Sequence, residues 1–128
     1  MKFTFTMEGR LESLNQTLKI PRLRFMQSFR RQHTKRRIAQ WILYSQVPKF
    51  ENPVRIHIRW VEKDQRRDRD NIRSGAKLIL DALVRQERIV NDSQKWLTEL
   101  TDSYDVDKTN PRIEVTIQDA ISSNGRVA

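Results

Sequence analysis

Residues 54–60 read V-R-I-H-I-R-W, which is the clearest strand pattern in the chain. Apolar and polar side chains alternate along it, which is the period of a β-strand with one buried face. Residues 2–8, K-F-T-F-T-M-E, alternate in the same way, and so do residues 113–117 near the end of the chain. Half-buried strands drawn from distant parts of the chain predict a sheet that is covered on one side.

Helical periodicity fills the intervals between these strands. Residues 22–44 predict a long helix after Pro21, since proline suits the first helical position. The middle of this helix, residues 30–37, has no large apolar side chain. The helix therefore either breaks there or projects from the core as a cationic ridge. Residues 72–84 predict a second helix with one apolar face.

A third, short amphipathic helix is expected after Asp92, with Trp96, Leu97 and Leu100 on its apolar side and Asp92 as its N-cap. Tyr104 and Val106 then predict another strand. The resulting order is β-α-β-α-α-β-β. It predicts a small two-layer α/β (α+β) domain, with helices packed on a mixed sheet of about four strands. Residues 1–120 are expected to form this single domain, and residues 121–128 a flexible C-terminal tail.

The composition favours a polyanionic partner. The 128 residues carry a formal net charge of +9, and the chain has no cysteine, which excludes disulfides, zinc-thiolate sites and thiol nucleophiles. Ten basic and two acidic residues precede Gln46, against fifteen and fourteen from there on. Such asymmetry is typical of nucleic-acid binding, although a merely solvated basic helix would give the same pattern. We expect a cytoplasmic protein, bacterial or phage-encoded, without a membrane partner or signal peptide, and the phage part of this expectation does not come from composition.

Three carboxylates are candidate metal ligands. Asp68 and Asp70 lie two residues apart just after the strand at residues 54–60, and in an extended segment both would point the same way. Magnesium prefers such oxygen ligands. Asp92 follows the helix at residues 72–84, so a turn or a second subunit must bring it close. Taken singly, these residues also suit solvated loop charges or a helix cap.

Several motifs occur together in one order. R-D-R-D-N-I spans residues 67–72, K-L-I-L-D-A-L spans 77–83, and I-V-N-D spans 89–92, after the opening G-R-L-E-S-L-N at 9–15. This arrangement resembles the RusA family of Holliday junction resolvases over roughly the first hundred residues. The family pattern is D-x-D-N, a helical lysine, a D-A-L step and a D-D or N-D pair.

The resemblance implies a homodimeric endodeoxyribonuclease that nicks opposing strands of four-way DNA junctions, in recombination or repair, with Mg²⁺ or Mn²⁺ and no small-molecule cofactor. It implies that Asp68, Asp70 and Asp92 are the catalytic metal ligands and that Lys77 occupies the position of the helical lysine in the family pattern. Arg73 and Ser74 are alternatives for that place, because the interval after Asn71 is longer than usual. Asn91 stands where many members have an aspartate. The expected DNA-binding residues are Asn15, Lys19, Arg22, Arg24, Arg30, Arg31, Lys35, Arg36, Arg37, Arg67, Arg69, Asn71 and Arg73.

Two other function classes suit the same charge. One is a non-catalytic protein that binds branched DNA on the same fold, in which Asp68 and Asp70 are structural caps. The other is an RNA-binding accessory protein, which gives no reason for clustered aspartates in a basic chain. A cleavage assay on a four-way junction distinguishes the non-catalytic DNA-binding protein from a nuclease. Competition between junction DNA and structured RNA distinguishes the RNA-binding protein from both.

Overall fold

A computed structural model describes residues 1–11 and 21–120, with side chains described for 1–11 and 28–120. The expected loop over residues 12–20 and the expected tail over 121–128 lie outside these ranges. The elements are β1 (Lys2–Glu8), α1 (Pro21–Tyr44), β2 (Val54–Glu62), α2 (Arg69–Arg73), α3 (Ala76–Arg85), β3 (Leu97–Val106) and β4 (Arg112–Asp119). The predicted α+β class and element order are confirmed.

The strands form one mixed four-stranded sheet in the order β1-β4-β2-β3. β4 pairs antiparallel with β1 and with β2, while β2 and β3 run parallel. Ile58 lies in the middle of the sheet, opposite Val115 on β4 and Asp102 on β3. The parallel pair requires a crossover, and α2 and α3 supply it between the end of β2 and the start of β3.

The helices cover one face of the sheet and close the core there. Ile58, Val115 and Ile117 from the strands are fully buried, as are Ile79 and Leu83 from α3. Ile38 and Ile42 of α1 join the same cluster. Burial of each such side chain contributes about 1.5–3 kcal/mol relative to exposure. The apolar alternation that predicted the strands is thus the inner face of the sheet.

The opposite face of the sheet is polar. His57 lies there on β2, and its two ring nitrogens lie 2.6 Å from the Thr101 hydroxyl and 2.9 Å from the Ser103 hydroxyl of β3. Arg59 lies on the same face and contacts Asp105 at 2.6 Å and Glu114 at 3.1 Å. These cross-strand pairs fix the register of β2 against both neighbours.

α1 is continuous, so its middle does not break but projects from the core as a cationic ridge. Residues 28–33 are exposed at six consecutive positions, which means that this part of the helix projects beyond the sheet. From Thr34 onward the helix packs, and Ile38 and Ile42 are buried. No helix in the described part of the chain is both long and apolar enough to cross a bilayer.

The short helix expected after Asp92 is wrong, because Leu97 and Leu100 lie on β3. The parallel register slips between Val54 and Arg55, so that Leu97 lies opposite Val54 while Leu100 lies opposite Ile56. The slip is a β-bulge, which inserts one extra residue into the strand. Two leucines three residues apart then face the same side, and this spacing imitates a helix.

The helix expected over residues 72–84 is two helices, α2 and α3, separated at Ser74–Gly75. The hydroxyl of Ser74 donates to the carbonyl of Asn71 at 2.7 Å and so competes with continued helical bonding. Gly75 packs tightly on the chain that follows β1, since a Cβ there would lie 2.9 Å from Cδ1 of Leu11. The break turns α3 away from α2 and leaves α2 as a separate turn above the end of β2.

Candidate functional site

The parallel strands β2 and β3 end at the same edge of the sheet, and α2 begins there. In α/β sheets, ligands commonly bind outside the carboxyl ends of parallel strands. Asp68 and Asp70 lie at this edge because the chain leaves β2 at Glu62 and enters α2 at Arg69. The sequence therefore brings two of its candidate ligands to the end of the sheet where side chains converge.

Asp68 and Asp70 are both exposed, but the segment that carries them is not extended as expected. Asp68 is the N-cap residue of α2, in an extended conformation, and its side chain makes no capping hydrogen bond. Asp70 is already in the first helical turn. Its negative charge suits the positive end of a helix. The two carboxylates are neighbours at a helix start rather than alternate residues of a strand.

A cleft of about 310 Å³ opens beside Asp68, between the start of α2 and the ends of β2 and β3. Its wall is mixed in charge. The acidic residues Glu62, Asp64 and Asp105 line it together with Arg67. A cleft with both signs of charge can hold a cation at its acidic side and a phosphate at its basic side.

Arg67, an expected DNA-binding residue, is largely buried in this wall. Its guanidinium lies 3.6 Å from the carboxylate of Glu62, and the two side chains are only 15% and 9% exposed. It also donates to the carbonyl of Asn71 at 3.4 Å. Arg67 thus ties α2 to the end of β2 and offsets the charge of a buried glutamate.

Asp102, which the sequence did not single out, is a second largely buried carboxylate near α2, beside Glu62. It lies on the helix-covered face of β3 and its side chain is 10% exposed. The indole of Trp60 donates to it at 2.8 Å, and Arg73 lies 3.3 Å from its second oxygen. The sequence pattern that places Asp102 on this face is the alternation of Leu100, Asp102 and Tyr104. This pattern is not recognised as long as residues 97–100 are interpreted as a helix.

Tyr104 connects the charges of α2 with those of β3. The guanidinium of Arg69 lies over its ring, 4.9 Å from the centroid. Burial raises the pKa of the Tyr104 hydroxyl, and the negative charges of Asp102 and then Asp70 raise it further, against the opposing charges of Arg73 and Arg69. Asp70 and Asp102 therefore act on one common point, although they come from different elements.

Lys77 and Asn71 lie on the two sides of the helix break. Asn71 is half-buried within α2, where its carbonyl accepts the Ser74 and Arg67 bonds. Lys77 is exposed in the first turn of α3, four residues before Asp81 on the same helical face. Lys77 is thus presented to solvent on a different helix from Asp70.

Asp92 does not join Asp68 and Asp70 within one chain. It precedes β3, whose first residue Leu97 lies opposite Val54 at the start of β2, whereas Asp68 follows the end of β2. A nine-residue strand separates the two ends by roughly 25 Å. Across residues 1–11 and 21–120, no three His, Cys, Asp or Glu side chains form a group that could hold a metal ion. Asp92 is exposed and caps no helix.

The basic residues of α1 differ in how far they are exposed to solvent. Arg30, Arg31 and Arg36 are exposed, whereas Lys35 and Arg37 are half-buried. Arg37 donates to the carbonyls of Glu8 at 2.7 Å and Arg10 at 3.3 Å, so it secures the end of β1.

The same part of α1 and Arg10 line a groove of about 690 Å³. Phe29, which is 69% exposed, belongs to that groove. An aromatic ring among arginines is a surface on which bases stack. The expected DNA contacts Asn15 and Lys19 lie outside the described residues, and the side chains of Arg22 and Arg24 lie outside the described side chains.

No protein-family model matches this chain, and no curated protein matches it.

Proposed function

We propose that this protein is a metal-dependent, structure-selective endodeoxyribonuclease that resolves four-way DNA junctions by paired nicks. One observation carries the proposal: Asp68 and Asp70 are exposed side by side at the start of α2, at the carboxyl end of the parallel strands, within a strongly basic chain. Exposed carboxylates oppose binding of a polyanion unless a cation neutralises them. A nucleic-acid-binding protein therefore has a functional reason to keep them there.

The donor chemistry fits Mg²⁺, with Mn²⁺ as a substitute. Asp68 and Asp70 offer hard oxygen ligands, and magnesium is commonly held by one or two carboxylates together with waters and substrate phosphate. Asp92 is the third proposed ligand. When bound, the metal activates water for attack on a phosphodiester and stabilises the leaving oxygen.

Basic side chains near the carboxylates orient the phosphate. Arg69 and Arg73 lie on α2 beside Asp70, and both are exposed. They carry the positive charge that a phosphate needs at this end of the sheet. Lys77 is the proposed group that offsets the negative charge developing on the scissile phosphate.

The projecting part of α1 is the proposed surface for the junction arms. Arg30 and Arg31 are exposed along it, and Arg30 lines the groove together with Arg10, Phe29 and the exposed Arg36 of the following turn. Charges spread along a helix that stands off the core bind the DNA backbone rather than base edges. Selection among DNAs then depends on the shape of the branch. Paired cuts require two active sites, which a twofold homodimer provides. The proposed location is the cytoplasm of a bacterium, with the protein encoded by the bacterium or by a phage.

A non-catalytic branched-DNA-binding protein on this fold is the second candidate. The observation that favours it is that the described part of a single chain gathers no group of three potential metal-binding side chains. In that case Asp68 and Asp70 stabilise the start of α2 through their charge.

The test is incubation of the purified protein with a synthetic four-way junction and Mg²⁺ or Mn²⁺. We expect cleavage by the wild type and its loss in Asp70→Asn, by about 100-fold or more. Glu87→Gln is the matched control, since Glu87 is exposed and lies two residues beyond the end of α3. Binding without cleavage in either metal would favour the second candidate. Competition with structured RNA reports whether the basic surface prefers RNA instead.

A further inference from the structure

The groove lined by α1 and Arg10 differs in charge from the cleft beside Asp68. Its basic lining residues are Arg10, Arg30, Arg36 and Arg37, and none of the described side chains that line it is acidic. The cleft beside Asp68 is lined by carboxylates as well as arginines. A groove with a single, positive sign of charge attracts a polyanion without the help of a metal ion.

Phe29 places an aromatic ring in this groove. Its side chain is 69% exposed, which leaves a large apolar surface in contact with water. Proteins that bind single strands combine a basic groove with aromatic rings on which unpaired bases stack. The bases of a duplex are already stacked on one another, so they offer such a ring no open face. The ring therefore fits an unpaired base better than it fits duplex DNA.

The spacing of side chains along α1 matches a short stretch of single strand. Phe29, His33 and Arg36 follow one another at intervals of four and three residues, so they lie on one face of the helix, and all three are exposed. Phe29 and Arg36 are roughly 10 Å apart along the helix axis. A stacked strand covers that distance in about three nucleotides, at about 3.4 Å each. Arg36 is thus in reach of the backbone of a strand whose base lies on Phe29.

The wall of the groove is held by contacts between two elements. The guanidinium of Arg37 donates to the carbonyls of Glu8 at 2.7 Å and Arg10 at 3.3 Å, which ties α1 to the chain that follows β1. The groove has a volume of about 690 Å³. Sites for small ligands have about 300–1,000 Å³, so there is room for a nucleotide. A site that is already formed loses less free energy to ordering when it binds.

We infer that this groove is a binding site for single-stranded DNA, in which one unpaired base stacks on Phe29 while Arg30 and Arg36 contact the phosphates of neighbouring nucleotides. The choice of DNA rests on the proposed function, whereas the stacking of an unpaired base does not. The inference adds a single-stranded arm beside the branch to the proposed substrate. Because the groove is basic, binding there does not depend on Mg²⁺.

The first test is binding of fluorescent oligo(dT), measured by fluorescence anisotropy in EDTA so that no metal site contributes. Phe29→Ala should weaken binding by about 5-fold or more, because the stacking contact is lost. Phe29→Tyr keeps a ring and should bind within about 2-fold of the wild type. Leu43→Ala is the matched control, since Leu43 is 64% exposed on the same helix and lies roughly 20 Å from Phe29 along it. A wild type that does not bind oligo(dT), or an equal loss in Leu43→Ala, would overturn the site.

An abasic oligonucleotide of the same length distinguishes stacking from a merely structural role of Phe29. It carries the same phosphates but no bases, so the wild type should bind it more weakly than oligo(dT). Phe29→Ala should bind the two oligonucleotides with similar affinity. If the substitution weakens both by the same factor, the ring acts through the shape of the helix and the stacking contact is refuted.

Photo-cross-linking locates the base on the protein. An oligonucleotide with 5-iodouracil forms an adduct with an aromatic ring that stacks on it, and mass spectrometry should find this adduct at Phe29. An adduct only at Tyr44, which is 81% exposed at the other end of α1, would contradict the assignment. Tighter binding of oligo(U) RNA than of oligo(dT) would overturn the choice of DNA.

Junction cleavage by the wild type separates failure of this inference from failure of the proposed function. A wild type that cleaves junctions with Mg²⁺, while its oligo(dT) affinity does not depend on Phe29, leaves the proposed function intact and overturns the single-strand site. A wild type that binds oligo(dT) through Phe29 but cleaves in neither Mg²⁺ nor Mn²⁺ supports the single-strand site and overturns the nuclease.

Discussion

The indole N–H of Trp60 donates to the carboxylate of Asp102 at 2.8 Å, across the parallel strands β2 and β3. Trp60 is 2% exposed, so this bond satisfies a polar group that would otherwise be buried without a partner. The other oxygen of Asp102 meets Arg73 of α2 at 3.3 Å. One carboxylate therefore joins both strands to the helix that carries Asp70.

Asp102→Ala should destabilise the fold by about 1–3 kcal/mol, because it leaves the Trp60 indole N–H without an acceptor. Asp102→Asn keeps an oxygen for the indole and should cost less. Arg73→Ala removes only the outer, half-exposed partner and should cost about 1 kcal/mol or less. Urea unfolding followed by tryptophan fluorescence measures all three. Equal losses for Asp102→Ala and Arg73→Ala would show that the indole bond contributes little.

Gly75→Ala should also destabilise the fold, by about 1–3 kcal/mol. The added methyl group would lie 2.9 Å from Cδ1 and 3.2 Å from Cβ of Leu11, so a buried side chain has to move. The double variant Gly75→Ala with Leu11→Ala should be less unstable than the sum of the two single changes, because Leu11→Ala makes the space that the methyl group needs. Ser74→Ala, at the neighbouring position, is the control for a general loosening of the helix break. Strictly additive free energies of unfolding would contradict the contact.

The parts of the fold that follow from alternation were predictable from the sequence. Phe5, Ile58 and Val115 belong to clear two-residue periods, and all three are buried on the inner face of the sheet. The strand expected at Tyr104 and Val106 is the second part of β3, whereas the first part was missed because the bulge sets Leu97 and Leu100 three residues apart on one face. A bulge depends on pairing with β2, which is a tertiary interaction that a local pattern does not contain.

The candidate site also has a part that the sequence predicts and a part that depends on the sheet topology. The pairing of Asp68 with Asp70 is local in sequence, and the structure keeps both residues exposed at the start of α2. The position of Asp92 depends on the direction of β3, and that of Asp102 depends on β3 being a strand at all. Both became visible only once the topology of the sheet was known.

The stability of the sheet should depend on pH through Glu114. Its hydrogen bond with Arg112, opposed by burial and aided by Arg59, lowers the pKa of the Glu114 carboxyl. A carboxyl whose pKa is lower in the folded state stabilises the fold above its unfolded pKa of about 4.3, and this contribution is lost as the pH falls through the folded pKa. The free energy of unfolding of the wild type should therefore exceed that of Glu114→Gln by about 1 kcal/mol at pH 7, and the two values should be almost equal at pH 2.

Chemical denaturation at pH 7 and at pH 2 checks this difference. Glu99→Gln is the control, because Glu99 is an exposed carboxylate on the edge strand β3, which is separated from β4 by β2. A gap between wild type and Glu114→Gln that stays constant down to pH 2 would mean that the loss comes from packing rather than from charge.

Neighbouring arginines on α1 should have separable effects on stability and on binding. Arg36 is exposed in the basic groove, so Arg36→Ala should leave the free energy of unfolding within about 0.5 kcal/mol of wild type. If Arg36 contacts a phosphate, the variant should weaken junction binding and reduce the slope of log K against log salt by about 1. Arg37→Ala should instead destabilise the fold by about 1–3 kcal/mol, because the carbonyls of Glu8 and Arg10 lose their donor. Filter binding of a four-way junction across a salt series, beside urea unfolding of the same samples, measures both quantities. A large loss of stability in Arg36→Ala, or an unchanged salt slope, would contradict the division between binding and structural arginines.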